Sequence, residues 1–129
     1  MHKETITYDD YNGVERTEDF YFNLTNAEIV EMELGTEGGL AEKLERVVAA
    51  KDGPTIINFF KDLVLRSYGV KSDDGRRFMK SDEIRASFAE TEAYSQIFMK
   101  FATDAEAASA FVNQVLPSKK EAPLAQSAT

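Results

Sequence analysis

His2 is the only imidazole in this 129-residue chain, and so the only side chain whose ordinary pKa suits proton transfer near neutral pH. Alone it completes neither an HExxH zinc pair nor a Ser-His-Asp set. It also sits near a terminus expected to fray, where it reads as incidental. The chain has no cysteine, which removes disulfides, thiolate metal sites and cysteine nucleophiles together. Two acidic runs, Asp9-Asp10-Tyr11-Asn12-Gly13 and Asp73-Asp74-Gly75, resemble fragments of a calcium loop. An EF-hand loop needs its first carboxylate five residues before the glycine. Tyr8 and Val70 occupy those positions, so both runs read as turns. Gly35, Gly38 and Gly39 lack the Lys-Ser/Thr pair of a phosphate loop and read as helix punctuation. Arg76-Arg77 has no tight basic cluster around it and reads as a solvated loop. Carboxylates are abundant, but no pair stands out as acid and base. The residues therefore imply no catalytic centre, no metal and no cofactor.

What remains is the chemistry of a binding surface. The formal net charge is −8, and all of the excess lies early. Residues 1–50 carry 12 acidic and 4 basic side chains, and the remainder carries 11 of each. Such a field repels phosphate backbones, which argues against nucleic acid as a partner. It serves either solubility or an acidic docking face. Tyr11, in a turn, and Tyr21, on the polar side of a strand, are the aromatic residues expected at the surface. Exposed tyrosines suit interface hot spots, although a single partly covered surface tyrosine is also ordinary. With Asp19, Glu28 and Glu31 of the same acidic half, they form the candidate partner-binding set.

The elements that must position these residues follow from periodicity. With 43% apolar residues the chain has enough to build one core without staples. Thr5 to Tyr8 alternates polar and apolar residues. Phe20, Phe22 and Leu24 alternate against Asp19, Tyr21 and Asn23, so the two stretches predict a β-hairpin around Asn12-Gly13. Thr25-Asn26-Ala27-Glu28 is a capping box opening a helix that stops at Gly35. Gly38-Gly39 opens a second helix, with Leu40, Leu44, Val47 and Val48 on one stripe and an end near Gly53. A third starts at Pro54 and stops at Gly69. Ile56, Ile57, Phe59, Phe60, Leu63, Val64 and Leu65 cover most of its circumference and mark it as the central buried helix. Residues 72–77 read as a polar loop. Ser81 caps a fourth helix, with a short break at Thr91 or Glu92. Tyr94, Ile97, Phe98 and Phe101 form a further stripe. Thr103-Asp104-Ala105-Glu106 reads as a second capping box, and Pro117 ends the last helix. The opening Met1-His2-Lys3-Glu4 lacks the apolar core of a signal peptide, and no apolar run reaches membrane-spanning length. The predicted fold is α+β: one domain over residues 1–116, an N-terminal hairpin packed on about five helices, and a disordered tail over 117–129.

The stretch Thr17-Glu18-Asp19-Phe20-Tyr21-Phe22-Asn23-Leu24-Thr25, followed by Ala27 to Glu33, resembles the opening of tail assembly chaperones from long-tailed phages of Gram-positive hosts. Gly38-Gly39-Leu40, Ile57 to Asp62, Ser67-Tyr68-Gly69, Thr91 to Tyr94, Phe111-Val112-Asn113 and Leu116-Pro117 continue the resemblance over most of the chain. It implies a small, mostly helical, non-enzymatic chaperone of the bacterial host cytoplasm, absent from the finished virion. Its implied partner is the tape measure protein, with the tail tube protein as a second. It also implies a frameshift junction in the region of Ser118 to Thr129. Two other classes stay open on the residues alone. One is a structural tail-completion or head–tail connector protein. The other is an acidic phage inhibitor that binds a basic host enzyme.

Overall fold

Alternation sets the first two elements. In the computed structural model, which describes residues 1–35, 38–50 and 53–116, β1 (His2–Asp9) and β2 (Glu15–Phe22) form an antiparallel hairpin, with His2 opposite Phe22 and Asp9 opposite Glu15. The turn between them is held by Asp10. Its carboxylate accepts from the N–H groups of Asn12 and Val14 and from Arg16 Nε. That arginine, with the backbone donors, holds the Asp10 carboxyl below its ordinary value. Gly13, at φ 79°, takes the left-handed position that closes the loop. The strand expected from Thr5 begins at His2, and its inner face carries His2, Glu4, Ile6 and Tyr8. His2 is thus not a frayed terminal residue. It is 8% exposed, packed edge-on against Phe111.

Six helices follow among the described residues: α1 (Asn26–Leu34), α2 (Gly39–Ala50), α3 (Gly53–Ser67), α4 (Asp82–Ala89), α5 (Glu92–Thr103) and α6 (Ala105–Val115). The capping box at Thr25 and the cap at Ser81 form as their sequences require. Thr91 caps α5. The cap of α6 is Asp104 rather than Thr103. Its carboxylate accepts from the N–H groups of Glu106 and Ala107, whereas the Thr103 hydroxyl donates back to Met99 within α5. A carboxylate at a helix start gains from the macrodipole as well as from the hydrogen bonds, which a hydroxyl does not.

Helix α3 does not run to Gly69. It ends at Ser67, whose hydroxyl donates to the carbonyls of Leu63 and Val64. The chain then turns directly into β3 (Tyr68–Lys71), which pairs with β2, and residues 72–77 are the turn into β4 (Phe78–Met79). Among the described residues the sheet has four strands in the order β1-β2-β3-β4. Asp74 and Gly75 at φ 75° supply the turn. Gly69 is needed for close approach and not as a helix stop: a Cβ there would lie 2.6 Å from the Phe78 ring.

Nor is α3 the central helix. Only its last third, Leu63, Val64 and Ser67, is buried, and Ile57 is 45% exposed. The centre is α5, whose Ala93, Ile97 and Phe101 recur every fourth residue and pack beneath β1 and against α3, α4 and α6. Phe22 is fully buried and touches His2, Tyr68, Phe88 and Phe111. Tyr68 stacks on Phe88 with centroids 3.9 Å apart. Residues 117–129, where a flexible tail was expected, lie outside the described residues.

Charge is also buried in this core. Glu4, 6% exposed, receives Lys100 Nζ at 2.8 Å and His2 Nε2 at 2.5 Å, while His2 Nδ1 meets Gln114 Oε1 at 2.6 Å. The network ties β1 to α5 and α6. Truncating Glu4→Ala leaves both partners without their anion and should cost about 2–4 kcal/mol in urea unfolding. Lys100→Met should cost less, about 1 kcal/mol, because that side chain is half exposed and screened by water. Equal costs would show that the two groups do not act through burial.

Candidate partner-binding site

The first turn of α1 is fixed from two sides. Thr25 Oγ1 accepts from the Glu28 N–H at 3.1 Å, and Glu28 Oε1 accepts from the Thr25 N–H at 2.8 Å. From the second hairpin, Lys80 reaches under the same turn. Its Nζ, on a side chain only 10% exposed, donates to the Asn23 carbonyl at 2.6 Å and to Glu28 Oε2 at 2.8 Å. Burial alone would raise the Glu28 carboxyl. The hydrogen bonds from Lys80 and the Thr25 N–H outweigh it and hold Glu28 below its ordinary value.

Helix α1, held at this angle, forms one wall of a cavity of about 400 Å³ whose other walls come from α2, α3 and α4. Its floor is apolar: Leu24, Met32, Phe59, Leu63 and Leu116. Its rim is charged with both signs, Glu28, Glu31 and Asp62 against Lys43, Arg66 and Arg85. Arg66 pairs with Asp62 at 2.8 Å, one helical turn back. Arg85 Nη1 meets the fully exposed Asp82, but the Arg85 Nε–H is buried and has no acceptor among the described residues. An unsatisfied donor of this kind costs free energy until an acceptor arrives.

The five sequence-derived residues fall in three places. Tyr11 stands at the hairpin tip, 80% exposed. Tyr21 and Asp19 share the outer face of the sheet. Tyr21 is half-buried with Lys71 Nζ 4.1 Å from its ring centroid, and Asp19 accepts from Thr5 Oγ1 at 2.6 Å. Glu28 and Glu31 meet at the cavity, the first engaged in the helix cap and the second exposed at the rim. Sequence reasoning missed the floor residues and the cations Lys43, Arg66 and Arg85. The available signal was the apolar excess of α3, which exceeds what one buried stripe uses.

A family model described as phage tail assembly chaperone matches residues 1–127. The chain belongs to that family. No curated protein and no solved structure matches it. Among the described residues of this tail assembly chaperone, no helix is long and apolar enough to cross a membrane.

The depressed Glu28 carboxyl gives the cavity wall a pH dependence of definite sign. Its contribution is complete above the ordinary glutamate value and is lost as the pH falls through the lower folded value. At neutral pH, Glu28→Gln should destabilise the chaperone by about 1 kcal/mol, allowing for a carboxylate one-third exposed. Urea titrations in steps from pH 7 to pH 3 should show that gap narrowing only in the acid range. A gap that stays constant would mean the carboxylate charge plays no part.

Proposed function

We propose that this chaperone binds the phage tape measure protein during tail assembly by accepting one face of an amphipathic helix into the α1–α2–α3–α4 cavity. The observation that carries the reading is the apolar floor enclosed by a rim of both charge signs. Helix-in-groove recognition needs those parts: pockets for apolar anchors along the helix, and charged groups at the edge that set register. The buried Arg85 Nε–H offers a specific place for a partner carboxylate or carbonyl. The net charge of −8 would keep such a complex dispersed. The tail tube protein is a second partner of the same kind. The action takes place in the cytoplasm of the bacterial host, a Gram-positive one, and the chaperone leaves before the virion is complete. The role is binding, with no reaction catalysed.

Co-expression with the tape measure protein of the same phage tests this. The wild-type chain should co-purify with it and keep it soluble. Phe59→Asp, which puts a carboxylate into the floor, should weaken capture at least about tenfold. Glu31→Lys at the rim should weaken it less, and circular dichroism should show both variants folded. Full capture by both variants would remove the cavity from the reading. Persistence of the chain in purified particles at fixed stoichiometry would replace it with a structural connector. Recovery of a basic host nuclease instead would replace it with an inhibitor.

A further inference from the structure

The eight-residue strand β1 is the edge of the sheet, and its outer side is open. Among the described residues no backbone group pairs with it there. Alternation identifies which groups face outward. Asp10 N–H bonds to Val14 O, so the even-numbered residues of β1 spend their backbone groups on β2. On β2 the odd-numbered residues face β3, as the Tyr21–Gly69 pair and the bond from Asn23 N–H to Ser67 O confirm. The N–H and C=O groups of Lys3, Thr5, Thr7 and Asp9 therefore point away from the molecule. The strand has neither proline nor bulge, two of the devices that blunt an edge, and its edge lysine, Lys3, finds a counter-charge in the pairing below.

The side chains on that edge are complementary to themselves. Lys3 and Asp9 are exposed, and neither forms an ion pair or side-chain hydrogen bond among the described residues. We infer that β1 pairs with the β1 of a second copy of this chain, antiparallel about a two-fold axis through Ile6. In this register Lys3 faces Asp9 of the partner copy, Thr5 faces Thr7, and symmetry repeats both pairs. The four outward-facing residues of each strand then exchange about eight backbone hydrogen bonds. Both threonine pairs and both opposite-charge pairs are favourable cross-strand neighbours. A shift of two residues, with Thr5 on the axis, sets Lys3 against Thr7 and leaves Asp9 without its cation. A shift of one residue sets the buried face of one copy against the solvent face of the other. The product is a continuous sheet across two chaperones. Helices α5 and α6 lie beneath β1, whereas no β1 residue lines the cavity.

Sedimentation equilibrium on the full chain, over about 10–200 µM, tests this by mass action. The expected result is a reversible dimer. Lys3→Asp replaces two attractions by two repulsions and should raise the dissociation constant about tenfold or more. Lys3→Asp combined with Asp9→Lys should restore the dimer. Thr5→Pro removes an outward donor while leaving the ladder to β2 intact, and should also dissociate it. Lys3 and Asp9 are exposed and make no side-chain bond among the described residues, so the charge variants should keep the wild-type circular dichroism spectrum; Thr5→Pro also loses the Thr5–Asp19 hydrogen bond, and its fold is checked by the same spectrum. A wild-type chain that sediments as a monomer throughout overturns the inference. So does a dimer indifferent to Lys3→Asp and Thr5→Pro, or one that the double charge exchange fails to restore.

Discussion

A carboxylate that points inward from a strand must be paired, and Glu4 is placed so. The cost of stripping water from it exceeds what any single apolar contact in the core returns, so its partners are fixed with it. Lys100 comes from α5, and His2 from the same strand, with His2 in turn held by Gln114 of α6. These bonds decide where the last two helices cross the sheet. Once α5 and α6 are set, Phe22 packs against Phe111 of α6 and Phe88 of α4. A register slip of one residue in β1 would carry Glu4 to the surface and Lys3 inside, which breaks every one of these links.

A second buried charge sets the other half. Lys80 lies where the short second hairpin meets the start of α1, and it binds the backbone of Asn23 as well as Glu28. Helix α1 is only nine residues long and buries a single side chain, Ile29, so its own packing holds it weakly. Its angle is inherited from the cap and from Lys80. The open cavity follows, because a helix anchored at its first turn need not close down along its length on α3. The apolar floor left between them is the surface on which the binding reading rests.

Much of this was legible in the sequence, and the misses have physical causes. The first hairpin, the Thr25 and Ser81 caps and the stripe of α5 rest on local periodicity and short-range hydrogen bonds, which the chain carries in adjacent residues. His2 and Glu4 were not legible, because a polar side chain in an alternating strand declares its face only through partners about a hundred positions away. The second hairpin was hidden by its brevity. Tyr68 to Lys71 continues an apolar helix pattern, and only Asp74-Gly75 marks the turn. The apolar excess of α3 was read as burial on all sides, when part of it lines the cavity. Of the five sequence-derived surface residues, Glu28 and Glu31 come together at the cavity, Tyr21 and Asp19 lie on the sheet face, and Tyr11 stands apart.

The charges at the cavity bear on how firmly it holds anything. Arg66 already has Asp62 beside it, and Glu28 has Lys80. A partner that uses Arg66 exchanges one screened ion pair for another and gains little net free energy, and one that draws Glu28 from the buried Lys80 loses more. For the helix proposed to bind here, apolar contact with Met32 and Phe59 would then supply most of the affinity, while the rim would discriminate by penalising a wrongly charged helix. Binding built this way would be broad in sequence, moderate in strength and reversible. Those properties would suit the tape measure binding proposed above, in which a long partner is covered segment by segment and then released. A deep, fully paired polar pocket would release its ligand too slowly for that exchange.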